Sequence, residues 1–200
     1  VPMHRAAAFA HLLHERLPGA SQDLHVTVPI DAASACPGLP EGDGLLIGLN
    51  INSEAPSRRL SPERGAAVAD ALVDAFGCTV VLVGAEAEVP RAAALTKAMR
   101  HPGRVIDMTG KTALPQLAWL LGRLDALVSV DSGSAHLANA VGTPAVVLFG
   151  AGDEAVTAPW NADRLTVLRL PGLACERCGD RTCRFGRPSC LEDIPVAEIT

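Results

Sequence analysis

Between Val128 and Gly150 the sequence reads VSVDSGSAHLANAVGTPAVVLFG. One carboxylate, two hydroxyls, a glycine and an imidazole crowd into Asp131-Ser132-Gly133-Ser134-Ala135-His136, between an apolar run and an Ala-rich one. These types at this spacing suit a phosphate. Gly133 lets the backbone approach a ligand closely. Free N–H groups at a helix start carry the positive end of the helix dipole. His136, in the first turn, can donate to a phosphate oxygen or stay neutral under the dipole. The plain alternative is an ordinary helix start, with Ser132 or Asp131 accepting a backbone N–H as cap and His136 packed on a neighbour.

Three further groups have chemistry to offer. Arg58 and Arg59, in Ser57-Arg58-Arg59-Leu60-Ser61-Pro62, can meet a diphosphate with planar, multi-donor geometry, or form a solvated surface pair. Glu86 and Glu88 can accept from ribose hydroxyls, or complement a helix N-terminus. Cys175, Cys178, Cys183 and Cys190, spaced C-x2-C-x4-C-x6-C, can close a tetrahedral structural zinc or iron site. The other two readings are free thiols and disulfides, the last disfavoured in a cytosolic compartment. Arg177, Arg181, Arg184 and Arg187 lie among these thiols and can offset thiolate charge or lower thiol pKa values. Of the remaining cysteines, Cys78 reads as core filler and Cys36 as a linker thiol.

The elements that must position these groups alternate regularly. Apolar strands are expected at 45–50, 79–84, 104–110, 125–130, 143–150 and 165–170. Helices are expected at 61–77, 89–101 and 113–124, with another opening at the Asp131 motif. Ser61 as N-cap, Pro62 at the first helical position and Gly77 at the end frame the first of these. Strands alternating with helices imply a Rossmann-like, doubly wound α/β fold with a parallel sheet. Ligands in such sheets bind outside the carboxyl ends of the strands. The turns at Asn50-Ile51-Asn52-Ser53, Gly84-Ala85-Glu86, Asp131-Ser132-Gly133 and Gly150-Ala151-Gly152-Asp153 therefore belong to one edge.

The chain divides into an N-terminal helix and linker over 1–44, a Rossmann-like domain over 45–170, and a Cys-rich segment over 171–200 that ends in a helix. Within the first part, a helix is expected over 2–17 and a short strand over 24–29. The glycines and prolines between Asp31 and Gly44 mark the linker. The formal net charge of -5 provides no electrostatic footprint for nucleic acid. No apolar run reaches the ~18 residues of a membrane span. The N-terminal stretch reads as an amphipathic helix rather than a signal peptide, and the chain, opening on Val1, as a piece of a longer protein.

Taken in order, Arg58 before a Ser-Pro helix start, Gly84-x-x-x-Glu88, Gly110-Lys111-Thr112-x-Leu114, Asp131-Ser132-Gly133-x-x-His136-x-Ala138-x-Ala140-x-Gly142-x-Pro144 and Phe149-Gly150 resemble a known pattern. It is that of the C-terminal half of glycosyltransferase family 9, which contains the ADP-heptose:lipopolysaccharide heptosyltransferases. The resemblance runs from about Leu45 to Ile199. It implies one half of a GT-B architecture, whose C-terminal domain holds a nucleotide-diphospho-sugar donor such as ADP-heptose. By position, Asp131 would contact the donor sugar, Ser132, Gly133 and His136 the diphosphate, and Glu88 the ribose. Arg58 and His136 would stabilise the leaving group. The family's K-x-W-P-like motif reads Arg58-Arg59-Leu60-Ser61 here, so the charge is kept while Lys and Trp are not.

The resemblance further implies an inverting transfer that requires no cofactor, with the catalytic base in the N-terminal domain. Its partners would be the donor, a lipid-linked saccharide acceptor of the lipopolysaccharide core and the protein's own N-terminal domain. Its place would be the cytoplasm, with peripheral contact at the inner membrane. Two rivals stand beside this reading. One is an isomerase of the nucleotide-sugar 2-epimerase kind, which shares the GT-B layout. The other is a non-catalytic sugar-nucleotide-binding module, to which the Arg58-Arg59-Leu60 departure lends weight.

Overall fold

A computed structural model describes residues 3–8, 27–36, 38–40 and 44–200. Six parallel strands form a single sheet: β1 (Leu46–Asn50), β2 (Thr79–Leu82), β3 (Val105–Asp107), β4 (Ala126–Val130), β5 (Ala145–Phe149) and β6 (Leu165–Arg169). Their order is β3-β2-β1-β4-β5-β6. Each strand coincides with one of the six apolar runs, trimmed by a few residues at its ends. β1 is buried along its whole length, as a central parallel strand covered on both faces must be.

Helices cover both faces. α1 (Pro62–Phe76) and α2 (Val89–Ala98) lie on one, and α3 (Leu114–Gly122) and α4 (Gly133–Ala140) on the other. Leu49, Val80 and Leu82 pack with Val68, Leu72 and Leu95 on the first face. Leu127, Val147 and Phe149 pack with Leu120, Leu121 and Ala138 on the second. Two one-turn helices also occur, α5 (Glu154–Thr157) after β5 and α6 (Ser189–Glu192) in the C-terminal segment.

The ends of α1 follow from local chemistry. The Ser61 hydroxyl accepts from the Arg64 N–H at 3.1 Å, and Gly77 closes the helix in the left-handed region at φ 62°. A partner remote in sequence reinforces this start. Buried Glu192 accepts from the Ser61 N–H at 2.6 Å and from its hydroxyl at 2.8 Å. Leu191, Ile194 and Ile199 enter the core on the α1 face, so the C-terminal segment is part of the packed unit.

The N-terminal part differs from the sequence reading. Residues 5–8 are helical, while the rest of the expected helix, 9–17, lies outside the described residues. The expected strand is described only at 27–29, which is not strand, although the Val28 N–H donates to the Ala140 carbonyl at 3.0 Å. Within the linker Asp31 caps a 3-10 turn, Ala32–Ser34. Cys36 is buried among Met108, Leu120 and Leu124, so it is a core residue and not a linker thiol.

Ser61→Ala removes the cap and one partner of buried Glu192. We expect a loss of about 1–2 kcal/mol in urea unfolding. A change within ~0.5 kcal/mol, ordinary for surface positions, would contradict this account.

Candidate functional site

Strand order reverses between β1 and β4, and the connections from their carboxyl ends depart to opposite faces. The gap left there is the ligand crevice of doubly wound sheets. Here it is a cleft of about 620 Å³. The structure brings Arg58, Glu88, Asp131, Ser132, Gly133 and His136 to its wall. Asn50, Asn52 and Ser53 from the β1 turn, Thr112 and Leu114 before and in α3, and Thr157 join them. Arg5 also lines the cleft. It carries no motif, and only a tertiary fold brings so distant a residue here.

Asp131 is the electrostatic centre. It is 5% exposed, and its Oδ2 stands 2.8 Å from Arg58 Nη1. The contact is close but off the hydrogen-bond angle, so Asp131 Oδ2 and Arg58 Nε remain buried without a hydrogen-bond partner. Burial raises the Asp131 pKa above the ordinary carboxylate value, against the opposing pull of Arg58 and His136. Gly152 makes room for this carboxylate: a Cβ there would stand 2.5 Å from Asp131 Oδ2.

The start of α4 is open. Ser132 occupies the N-cap position, but its hydroxyl makes no cap bond. This corrects the capping expectation. The Ser132 hydroxyl accepts from Asn50 Nδ2 at 2.8 Å and lies 3.0 Å from Ser129 Oγ. Asn50 is itself held by exchange with Asn52, donating to its carbonyl and accepting its N–H. The amides at the helix start therefore face the cleft without a side-chain acceptor. His136 is solvent-exposed on the cleft wall. Desolvation within that concave wall lowers its imidazole pKa, while Asp131 pulls it upward and His4 adds to the lowering.

The other predicted groups separate. Glu88 Oε2 accepts from the Ala85 N–H at 2.7 Å, closing its own turn while the side chain lines the cleft. Glu86 is exposed and does not line it. Arg59, expected beside Arg58, is turned away from the cleft. Its Nε donates to the Ser53 carbonyl at 2.6 Å and its Nη2 to the Glu54 carbonyl at 3.1 Å. It braces the turn that carries Arg58.

No disulfide joins the cysteines of the C-terminal segment. Cys175, Cys178, Cys183 and Cys190 surround one small cavity together with Ser57 and Ala151. Burial and then the neighbouring thiols raise the Cys190 pKa, and Cys183 Sγ is turned to the Arg187 carbonyl at 3.3 Å. Among the described residues no three His, Cys, Asp or Glu side chains are arranged to hold a metal ion.

The segment carrying these thiols is pinned beside the cleft. Arg169 donates to Glu154 and to the Gly150 and Gly152 carbonyls. Arg177 also donates to Glu154. Burial alone would raise the Glu154 carboxyl, but hydrogen bonds from Arg177 and Arg169 outweigh it and hold the pKa at about 2. Arg177 adopts φ 53°, a left-handed conformation rare outside glycine, and its guanidinium meets Glu154.

With the geometry in place, the relatives are informative. The profile of a family described as "Glycosyltransferase family 9 (heptosyltransferase)" matches residues 32–188. Lipooligosaccharide heptosyltransferase 2 of Haemophilus influenzae is 30% identical over 132 residues, covering 64% of this chain and 38% of that protein. The protein of the same name from Campylobacter jejuni is 28% identical over 96 residues, 48% of this chain and 30% of its own. The chain thus spans well under two thirds of these curated relatives. A solved glycosyl transferase family 9 structure from Veillonella parvula superposes with TM-score 0.81 at 25% identity, over 100% of this chain and 58% of that one. Escherichia coli heptosyltransferase WaaC, solved with ADP-2-deoxy-2-fluoro heptose, gives TM-score 0.55 at 25% identity, over 67% of this chain and 39% of that one.

Glu154 binds its arginines as an anion, with a folded pKa below the ordinary 4.5. Its contribution to stability is complete above about pH 4.5 and is lost as pH falls towards about 2. Glu154→Gln should therefore melt below wild type at pH 7, with the gap narrowing below about pH 4.5 and mostly gone near pH 2. An equal gap at both pH values would contradict the pinning role.

Proposed function

This chain belongs to glycosyltransferase family 9, and from that membership we propose that its cleft holds a nucleotide-diphospho-sugar donor, ADP-heptose, for transfer to a lipopolysaccharide core acceptor. The observation that carries this reading is the uncapped start of α4 beside the Arg58–Asp131 pair, at the switch point of the sheet. A diphosphate offers the acceptors that this start and Arg58 call for. The Asp131 carboxylate on the same wall offers an acceptor for sugar hydroxyls. The names of the heptosyltransferase relatives, and the nucleotide sugar in the WaaC structure, support the choice of donor.

In this scheme the amides of Gly133 and Ser134, with His136, hold the diphosphate. Glu88 accepts from the ribose hydroxyls, and Asp131 orients the sugar. Burial lowers the His136 pKa and so favours the neutral imidazole, which can serve as an N–H donor to the diphosphate. The acceptor hydroxyl attacks the anomeric carbon on the face opposite the diphosphate. The new C–O bond forms as the bond to the diphosphate breaks, and nucleoside diphosphate leaves with the electron pair, so configuration inverts. The hydroxyl proton passes to a carboxylate that we assign to a second domain facing this cleft. The transition state is oxocarbenium-like. Charge growing on the departing diphosphate is met by Arg58 and the α4 amides, which are in place beforehand.

Among the described residues no helix is long and apolar enough to cross a membrane. The proposed acceptor is lipid-linked, so the cleft would meet it at the cytoplasmic face of the inner membrane.

Calorimetry should show that the chain binds ADP. His136→Ala should weaken ADP about tenfold, the scale of one hydrogen bond to a charged group, and leave adenosine unchanged. Equal losses for both would refute the phosphate role of His136. Failure of wild type to bind any nucleoside diphosphate would overturn the donor-site assignment.

A further inference from the structure

The turn that carries Arg58 is short, Pro56–Arg58, and lies at the rim of the cleft. Its local bonds are two 3-10 contacts, Arg58 N–H to the Ala55 carbonyl at 3.0 Å and Arg59 N–H to the Pro56 carbonyl at 3.2 Å. The residue between Pro56 and Arg58, Ser57, is 2% exposed, and both its polar groups point away from the turn. Its N–H donates to the Arg181 carbonyl at 3.1 Å, and its hydroxyl donates to the Asp180 carbonyl. Those carbonyls belong to the Cys-rich segment, which lies more than a hundred residues further along the chain.

That segment is itself immobilised on either side. On one side Arg177 binds Glu154, and the Gly179 N–H donates to the Ala151 carbonyl at 2.8 Å. On the other, Glu192 binds Ser61, and Ile194 accepts from Arg64. The two carbonyls that receive Ser57 therefore have a fixed place relative to β5 and α1. The arginine one residue later has a long side chain, and its charge must arrive at Asp131. A displacement of about 1 Å in its backbone is enough to spoil such a placement.

We infer that Ser57 is a positioning residue: by tying the Arg58 turn to the Asp180 and Arg181 carbonyls, it lets the Cys-rich segment set where Arg58 places its charge in the cleft. This rests on the donor-site reading above. The segment's role here is mechanical, and the thiol cavity lies directly behind Ser57 as part of the same support.

The test is a double-mutant cycle read by calorimetry with ADP and adenosine as the probes, on the chain as it stands. Ser57→Ala should weaken ADP about fivefold, leave adenosine unchanged, and cause no further loss of ADP affinity in an Arg58→Ala background. Three results would overturn the inference: unchanged ADP affinity, equal losses for ADP and adenosine, or the same loss in both backgrounds. The last would show a general weakening of the site instead of action through Arg58. A melt of each variant checks folding. If Ser57→Ala does not fold, Ser57→Cys, nearly the same size with a weaker donor, makes the same comparison. Wild type failing to bind ADP would sink the donor reading itself, and is a different result from any of these.

Discussion

Asp131 sets the terms for the rest of the molecule. A carboxylate buried to 5% exposure is costly unless a cation and hydrogen bonds compensate. Arg58 supplies the cation, but the hydrogen bonds are incomplete, and the raised pKa of Asp131 reports the balance. Several otherwise separate features follow from keeping this pair intact. Gly152 must lack a Cβ. The Arg58 turn must be braced, by Arg59 from within and by Ser57 from behind. The segment behind Ser57 must be pinned in turn, which Glu154 and Glu192 do at its two sides. A site that is underbonded at its centre is thus held by a periphery that is well bonded.

Such underbonding is expected where a ligand supplies the missing partners. The uncapped helix start and the underbonded Asp131 carboxylate are complementary demands, one for an anion and one for a hydroxyl. A sugar nucleotide carries both on adjacent parts. This economy explains why family membership and local geometry point to the same ligand class.

Much of the frame was legible in the sequence, because it depends on short-range rules. Apolar runs mark the six strands, and Ser61-Pro62 and Gly77 mark α1 through capping and left-handed backbone. The cleft was legible too, since strand ends in this topology lead to one edge. What was not legible depends on partners remote in sequence. Ser132 looks like a cap, yet Asn50 on β1 outcompetes the helix for its hydroxyl. Arg58 and Arg59 are equivalent as a dipeptide, and only the path of the turn sends one to the cleft and the other to the Ser53 and Glu54 carbonyls. Cys36 sits among breakers, but core space between α3 and the sheet draws it inward. The cysteine spacing alone does not show that the four thiols meet around one small cavity, since that needs the segment to fold back on Ser57 and Ala151.

The link from Ser57 to Asp180 also bears on the order in which the molecule comes together. It closes a loop of more than a hundred residues, as does Glu192 with Ser61. Closing long loops is entropically late work, and parallel sheets with such contacts have high contact order and fold slowly. During synthesis the strands that wall the cleft emerge well before the segment that holds Arg58 in register. A nascent chain can therefore bury most of its core while its cleft is still unset, until Ser57 meets the Asp180 and Arg181 carbonyls.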